Sequence, residues 1–388
     1  MSARRVEWAN ALRGVAAASV LLFHFGVVFW VRQDVAASLA RRPALYAADT
    51  GAPLLPRLVE RSGVDLGGFG VALFFLLSGF VIAISLERYS RRGFIVGRLL
   101  RVLPTYAAGF AVTVLVVRLM GDPAHELSVA GVLAGMVPGL ALATGVQAPG
   151  DGIVWTLIIE LVFYGICLIA YRRLARGWVA PAAVAVGCVL VQLLVPAPHV
   201  IAGSAAGGAT YILLLALPFL PVMLIGAVLS GARRAAVGRG VAWLVVVLLA
   251  ATHLLLLSTS HVLPTTVGYR LTFLGAIGLF CALVVLGDTW RPNRTLGRLA
   301  DVSYPLYVVH PVLGYALISV LVHHGTPAGL AVLAATVVVL GAAWLLHVTV
   351  EVPTHRLGRR WARRLSATPD APVRSPELVA EGIEGGTS

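Results

Sequence analysis

Long runs of apolar residues, separated by short polar stretches rich in arginine, make up most of this chain. Most runs approach the roughly 20 residues that an α-helix needs to cross the hydrocarbon core of a bilayer. The pattern predicts helices at about 8–31, 66–86, 103–120, 128–146, 153–171, 179–196, 209–230, 241–257, 266–287, 302–323 and 328–350. The predicted fold class is therefore all-α, as a polytopic integral membrane protein.

The arginines between the apolar runs indicate which loops face the cytosol, because basic residues accumulate on that side. They cluster at 88–101, 172–176, 233–239, 291–298 and 356–364. With a cytosolic N-terminus, the later clusters all lie inside only if one segment between 103 and 171 does not cross. The short segment 128–146 is interrupted by glycines and a proline, so we expect a re-entrant or non-crossing helical piece there. About ten transmembrane helices result, with both termini cytosolic.

The composition excludes a soluble domain, since 59% of the residues are hydrophobic, 12% are charged and the mean hydropathy is +0.90. The net charge of +13 comes from arginines between apolar spans, which favours membrane topology over nucleic-acid binding. Cys167, Cys188 and Cys281 occur singly inside apolar spans, where a thiolate is disfavoured, so we expect no disulfide, metal site or cysteine nucleophile. We predict one membrane domain over residues 1–365 and a disordered cytosolic tail over 366–388.

Arg13 and His24 are ionisable residues on the first predicted helix. They are eleven positions apart, about three turns, so both side chains point the same way and lie about 16 Å apart along the axis. Ionisable groups inside a membrane are costly and usually face a polar cavity, which makes the pair a functional-site candidate. The alternative is that Arg13 extends to the interface and His24 is a hydrogen-bonded packing residue.

Four further polar residues belong to the first half of the chain. Ser78 precedes a glycine in an apolar run, where close helix packing is the alternative to a functional role. Arg98 and Arg101 share one helix face and either bind phosphates or anchor the cytosolic surface. Glu160 is about two turns inside its span, where an unpaired carboxylate is expensive, so we favour a functional or network role.

The last candidates are near the C-terminal end of the membrane domain. Ser303 and His310 are seven residues apart, which puts the hydroxyl and the imidazole on one helix face, and Tyr304 adjoins them. The alternative is that His310 only satisfies a backbone carbonyl in the core. Glu351 ends the final span and is followed by arginines, so an ion pair there is as good an explanation as catalysis. The usual sequence motifs of α/β-hydrolases, P-loop NTPases and zinc proteases are absent, and we expect no metal.

Taken in order, these motifs resemble the acyltransferase 3 family of bacterial membrane enzymes, which acylate sugars, peptidoglycan, nodulation factors and macrolide antibiotics. The similarity covers about residues 5 to 360. The motifs are Ala11-Leu12-Arg13-Gly14 with His24, Phe74-Phe75-x-x-Ser78-Gly79-Phe80, Arg98-x-x-Arg101, Trp155-Thr156-Leu157-x-x-Glu160-x-x-Phe163-Tyr164, Ser303-Tyr304 with His310, and Glu351-x-Pro353.

The resemblance implies O-acylation: an acyl group, often acetyl, passes from acyl-CoA at the cytosolic side of the bacterial inner membrane to a hydroxyl acceptor. The expected acceptor is a cell-surface carbohydrate or a macrolide-type metabolite. The expected catalytic residues are Arg13, His24, Glu160, Ser303, Tyr304 and His310, and the expected donor-binding residues are Arg13, Ser78, Arg98, Arg101 and Glu351.

In the expected mechanism, the CoA nucleotide docks against Arg98 and Arg101 while His24 acts as general base on the acceptor hydroxyl. Glu160 orients the imidazole, and the oxyanion takes its hydrogen bonds from Ser303, Tyr304 and His310. Direct transfer and an acyl-enzyme both stay open. The alternative function is a proton-coupled transporter or flippase of a sugar or lipid-linked substrate, because intramembrane ionisable groups also serve carriers.

Overall fold

The computed structural model describes residues 7–46, 53–123, 126–195, 205–260, 262–263, 265–287 and 294–367. Every regular element in these ranges is helical, which confirms the all-α prediction. Two π-helical turns, His24–Val28 and His347–Glu351, interrupt longer helical stretches. The helices, in chain order, are α1 (Glu7–Phe23), α2 (Phe29–Val31), α3 (Gln33–Ala40), α4 (Leu54–Arg61), α5 (Leu66–Arg88), α6 (Arg91–Met120), α7 (Val129–Gly135), α8 (Leu140–Thr144), α9 (Val154–Ala170), α10 (Arg172–Arg176), α11 (Val179–Leu194), α12 (Ala205–Ala216), α13 (Leu220–Arg233), α14 (Arg239–Ser258), α15 (Val267–Leu286), α16 (Arg294–Asp301), α17 (Ser303–His323), α18 (Ala328–Leu346) and α19 (Val352–Arg364).

Within the described residues, seven helical segments are long and apolar enough to cross a membrane. They are Glu7–Val31, Leu66–Arg88, Arg91–Met120, Arg239–Ser258, Val267–Leu286, Ser303–His323 and Ala328–Arg364. Gly207–Ala216 and Leu220–Arg233, bent by 45° at their junction, make an eighth if they form one span. The predicted number of about ten is therefore too high by this measure, because α9 and α11 have only 17 and 16 residues.

The segment 128–146, expected not to cross, contains α7 and α8, which have 7 and 5 residues. At about 1.5 Å per residue neither can span a bilayer, in agreement with that expectation. Most of the predicted tail, 368–388, lies outside the described residues. The division into a membrane domain and a tail stays a prediction.

Helix α5 is the central packing element, and small residues let two neighbours approach it closely. A Cβ at Gly79 would overlap the carbonyl oxygen of Met223 on α13. On the other side, a Cβ at Gly70 would lie 2.6 Å from the carbonyl oxygen of Ala16 on α1. Gly79 is thus required for close helix packing, which was the alternative explanation for the motif that contains Ser78. The crossing leaves the neighbouring Ser78 half-buried beside a cavity.

Candidate active site

A cavity of about 710 Å³, including the space at its open mouth, lies between α1, α5, α6, α9 and α17. Its wall is mostly apolar and aromatic. Six of the ten predicted site residues line it: Arg13, Ser78, Arg101, Glu160, Ser303 and Tyr304. The sequence positions of these residues span almost 300 residues, and the helix packing brings them together.

The guanidinium groups of Arg13 and Arg101 are the free cations of this cavity. Neither has a hydrogen-bond or ion-pair partner among the described residues. Glu160 and Glu351 act on Arg13 only through longer-range attraction. A desolvated charge without a partner is costly, so the site favours an anion. Arginine is well suited to this, because its planar fork of donors matches phosphate and carboxylate oxygens.

Glu160 is held by two hydroxyl groups. Its Oε1 accepts hydrogen bonds from Ser78 Oγ at 3.2 Å and from Tyr164 OH at 2.7 Å. Since Tyr164 is four residues further along α9, the carboxylate is fixed within its own helix and against α5. Among the described contacts, none joins Glu160 to His24. The expectation that this carboxylate orients the imidazole therefore has no hydrogen bond to support it.

His24 begins the first π-helical turn, a widened turn that often occurs at functional sites. Its Nδ1 is 2.6 Å from the hydroxyl of the buried Tyr315 on α17, so Tyr315 orients the ring. The centroid of the His310 ring is 4.7 Å away and the two rings are nearly perpendicular. Tyr307, which lines the cavity, has its ring centroid 5.7 Å from that of His310. The two imidazoles thus form a second group just beyond the cavity.

The backbone carbonyls around His310 identify which of its ring nitrogens carries the proton. Pro311 has no N–H, so the carbonyl of Tyr307 lacks its usual helical donor. His310 Nδ1 lies 2.9 Å from that oxygen and 3.2 Å from the carbonyl oxygen of Leu306. Carbonyl oxygens only accept, so Nδ1 carries the proton and Nε2 of the neutral ring is an acceptor. That Nε2 is buried and has no partner among the described residues.

The three groups expected to stabilise an oxyanion already donate protons to backbone carbonyl oxygens. Ser303 donates to the carbonyl of Ala300 at 2.8 Å, and Tyr304 donates to the carbonyl of Val102 at 2.8 Å. Neutral His310 offers only a lone pair, as its tautomer requires. The free donors facing the cavity are instead the guanidinium groups. The expected oxyanion role of these three α17 groups stays a prediction.

Arg98 is separated from the cavity although it is only three residues from Arg101. It is buried and donates to Ser85 Oγ on α5 at 2.7 Å. Its guanidinium also lies over the rings of Phe94 and Tyr164, at 5.8 and 6.0 Å from their centroids. These contacts tie α6 to α5 and α9. The guanidinium of Arg98 is thus engaged in the helix packing, and its expected phosphate contact stays a prediction.

Glu351 ends the second π-helical turn and lies beside His347, whose Nδ1 is 2.7 Å from its Oε2. The two residues are four apart on one helix face. This contact engages Glu351 within its own helical stretch. Among the described residues, no group of three or more His, Cys, Asp or Glu side chains could hold a metal ion.

A comparison with protein families decides the class. The model of the family Acyl_transf_3, described as an acyltransferase domain, matches residues 6–348. The chain belongs to the acyltransferase 3 family. Acyltransferase MdmB of Streptomyces mycarofaciens is 27% identical to it over 350 residues, which are 81% of this chain and 87% of that protein. No match was found among solved structures.

Sequence reasoning on this acyltransferase 3 chain missed three polar side chains of the site. Thr156 and Tyr307 line the cavity and are hydrogen-bonded to each other at 3.1 Å. Tyr315 contacts His24. Thr156 lies inside a recognised motif and could have been found there. The tyrosines resemble ordinary aromatic residues of an apolar helix, so nothing in the pattern marked them.

Proposed function

We propose that this membrane acyltransferase moves an acyl group, in the first instance acetyl, from acyl-CoA to a hydroxyl group of a carbohydrate or macrolide-type acceptor. The observation that carries the proposal is the pair of unpartnered guanidinium groups, Arg13 and Arg101, in a largely apolar cavity. An acyl-CoA has matching parts, since anionic phosphates are joined to a long, uncharged arm that ends in the thioester.

The donor is inferred to enter at the mouth beside Arg101, with its arm extending along α1. His24 lies about 16 Å beyond Arg13 along the helix axis. An extended pantetheine arm is of comparable length, so phosphates near the arginines are compatible with a thioester near the imidazoles. Arginine clusters are typical of cytosolic surfaces, and we infer a cytosolic mouth in a bacterial inner membrane with both termini inside.

The reaction needs a base for the acceptor hydroxyl and a donor for the developing negative charge. In the tautomer in which His24 Nδ1 donates to Tyr315, Nε2 takes the proton of the attacking hydroxyl. The oxygen forms a bond to the carbonyl carbon, the bond to sulfur breaks, and the proton passes to the thiolate. A well-positioned base contributes about 10²–10⁴ in rate. The expected donors to the oxyanion stay Ser303, Tyr304 and His310, because Arg13 holds the phosphates at the other end of the donor, about 16 Å away along the axis.

The test is release of free CoA from acetyl-CoA by the purified protein in lipid nanodiscs, measured with a thiol reagent. Sugar and macrolide acceptors are added in turn, and the acylated product is identified by mass spectrometry. We expect CoA release to depend on an acceptor. His24→Ala at equal abundance should reduce the rate by at least about 10².

His324→Ala is the matched control, because this exposed histidine at the end of α17 has no part in the site. A His24→Ala protein with nearly full activity would overturn the assignment of the base. Absence of acyl transfer with every acceptor, together with substrate uptake into proteoliposomes driven by a pH gradient, would favour the transporter instead.

A further inference from the structure

The mouth beside Arg101 is the proposed entry of the donor, and one turn away α6 crosses α19 in close contact. A Cβ at Gly97 on α6 would lie 3.2 Å from the Cβ of Ala362, and a Cβ at Gly358 would lie 3.2 Å from the carbonyl oxygen of Gly97. Gly93, one turn before Gly97, also contacts Ala362. The two helices are therefore antiparallel and in close contact. One turn further along α6, Arg101 reaches the level of His355 on α19.

Positive charge accumulates at this level. His355 lies within electrostatic range of four guanidinium groups, those of Arg101, Arg359, Arg98 and Arg13. His355 and Arg359 are four residues apart and share one face of α19. Arg101 lines the cavity, His355 is half-buried and Arg359 is exposed, so the three form a path from the cavity to the surface.

The acidic groups that act on this cluster are already engaged. Glu351 is paired with His347, and Glu160 accepts hydrogen bonds from two hydroxyls. Neither neutralises Arg101 by direct contact. The mouth therefore keeps an excess of positive charge, which a polyanion would balance.

We propose that the phosphates of the donor nucleotide bind at this mouth, between Arg101, His355 and Arg359. This inference rests on the proposed function. Arg101 and Arg359 supply planar forks of donors, which suit phosphate oxygens, and His355 adds a ring N–H between them. The two α19 residues lie outside the recognised motifs, and Arg98 takes no part, because its donors face Ser85.

An anionic lipid headgroup has the same chemistry and is the other source of phosphate. The opposite side of α19 exposes Leu357 and Trp361, 44% and 46% accessible, as a helix at a membrane interface does. The nucleotide is favoured because Arg101 belongs both to the cluster and to the cavity wall. Binding of the nucleotide depends on the structure of the donor, whereas binding of a headgroup depends on the lipid.

The experiment compares acetyl-CoA with acetyl-pantetheine, which lacks the nucleotide phosphates. Wild type and Arg359→Ala are measured in nanodiscs of zwitterionic lipid and again with anionic lipid. Arg359→Ala should raise the KM for acetyl-CoA about three- to tenfold, a moderate effect because the side chain is exposed. The KM for acetyl-pantetheine should not change, in either lipid. Adenosine 3′,5′-bisphosphate should inhibit wild type more strongly than the variant.

Arg360→Ala is the matched control, since this exposed arginine points away from the crossing and is not among the cations near His355. An equal rise in KM for both donors, or a rise that depends on anionic lipid, would overturn the nucleotide site. So would an unchanged KM for acetyl-CoA. If wild type uses neither donor, the proposed function fails and this inference with it, whereas the other results leave the proposed function intact.

Discussion

Arg98 and Arg101 are only three residues apart on α6, but Arg98 contacts Ser85 inside the helix packing and Arg101 lines the cavity. We predict that Arg98→Ala destabilises the protein and leaves donor affinity nearly unchanged. Arg101→Ala should do the reverse. Both substitutions remove the same side chain from the same helix, so each serves as the control for the other.

The expected loss for Arg98→Ala follows from its contacts. A hydrogen bond from a charged group, here to Ser85 at 2.7 Å, contributes about 1.5–3 kcal/mol. Each of the two contacts with aromatic rings adds about 0.5–1 kcal/mol. Ser85 still donates to the carbonyl of Val81, so no hydroxyl is left without a partner. The free energy of unfolding should fall by about 2.5–5 kcal/mol.

Arg101→Ala breaks no hydrogen bond with a described residue, so we expect a stability change within about 0.5 kcal/mol. The assay combines thermal unfolding in one detergent with the KM for acetyl-CoA of the folded fraction. We expect a clear drop in Tm for Arg98→Ala and a raised KM for Arg101→Ala. Wild-type Tm together with a raised KM in Arg98→Ala would refute the division of roles.

Three further predictions concern packing, the base and pH. Gly79→Ala should abolish folded protein, because its Cβ would overlap a carbonyl oxygen of α13, whereas Gly165→Ala, with open space around it, should be tolerated; yield after size-exclusion chromatography distinguishes them. Tyr315→Phe should lower kcat by up to about tenfold, the value of one hydrogen bond to His24, and an unchanged kcat would contradict the orienting role. Burial raises the pKa of the Asp151 carboxyl, so the folded state loses stability as the pH rises through that raised pKa. Asp151→Asn should remove this slope from a series of Tm values against pH, and an unchanged slope would assign it to other groups.

Hydropathy predicted the apolar parts of the helices well and their arginine-rich extensions poorly. The predicted 266–287 and 302–323 agree with Val267–Leu286 and Ser303–His323 within a residue at each end. In contrast, the predicted 103–120 is only the apolar part of Arg91–Met120. The first three turns of that helix are rich in arginine, which lowers their hydropathy without disfavouring a helix. The capping serine, Ser90, was the signal that could have been used.

Residue spacing predicted which side chains share a helix face, but not what lies opposite that face. Arg98 and Arg101 do lie near one another on α6, yet one meets Ser85 and two rings while the other meets a cavity. That difference depends on how α5 and α9 pack, which no single helix encodes. The same limit explains why the contact between Glu160 and Ser78 could not be predicted, since Ser78 approaches Glu160 from another helix.

The separation of arginines from imidazoles is consistent with the chemistry that the family performs. Phosphates need fixed positive charge, whereas a base needs a lone pair and therefore a neutral ring. His24 lies about three turns from Arg13 and packs against a tyrosine hydroxyl and a second imidazole. Positive charge and a neutral ring can therefore be present in the same molecule. Pro311 contributes by freeing the carbonyl that binds His310 Nδ1, so His310 also keeps its Nε2 lone pair. The two imidazoles beyond the cavity thus fit the proposed base, and the arginines of the cavity fit the proposed phosphates of a long donor whose reactive carbonyl lies at its other end.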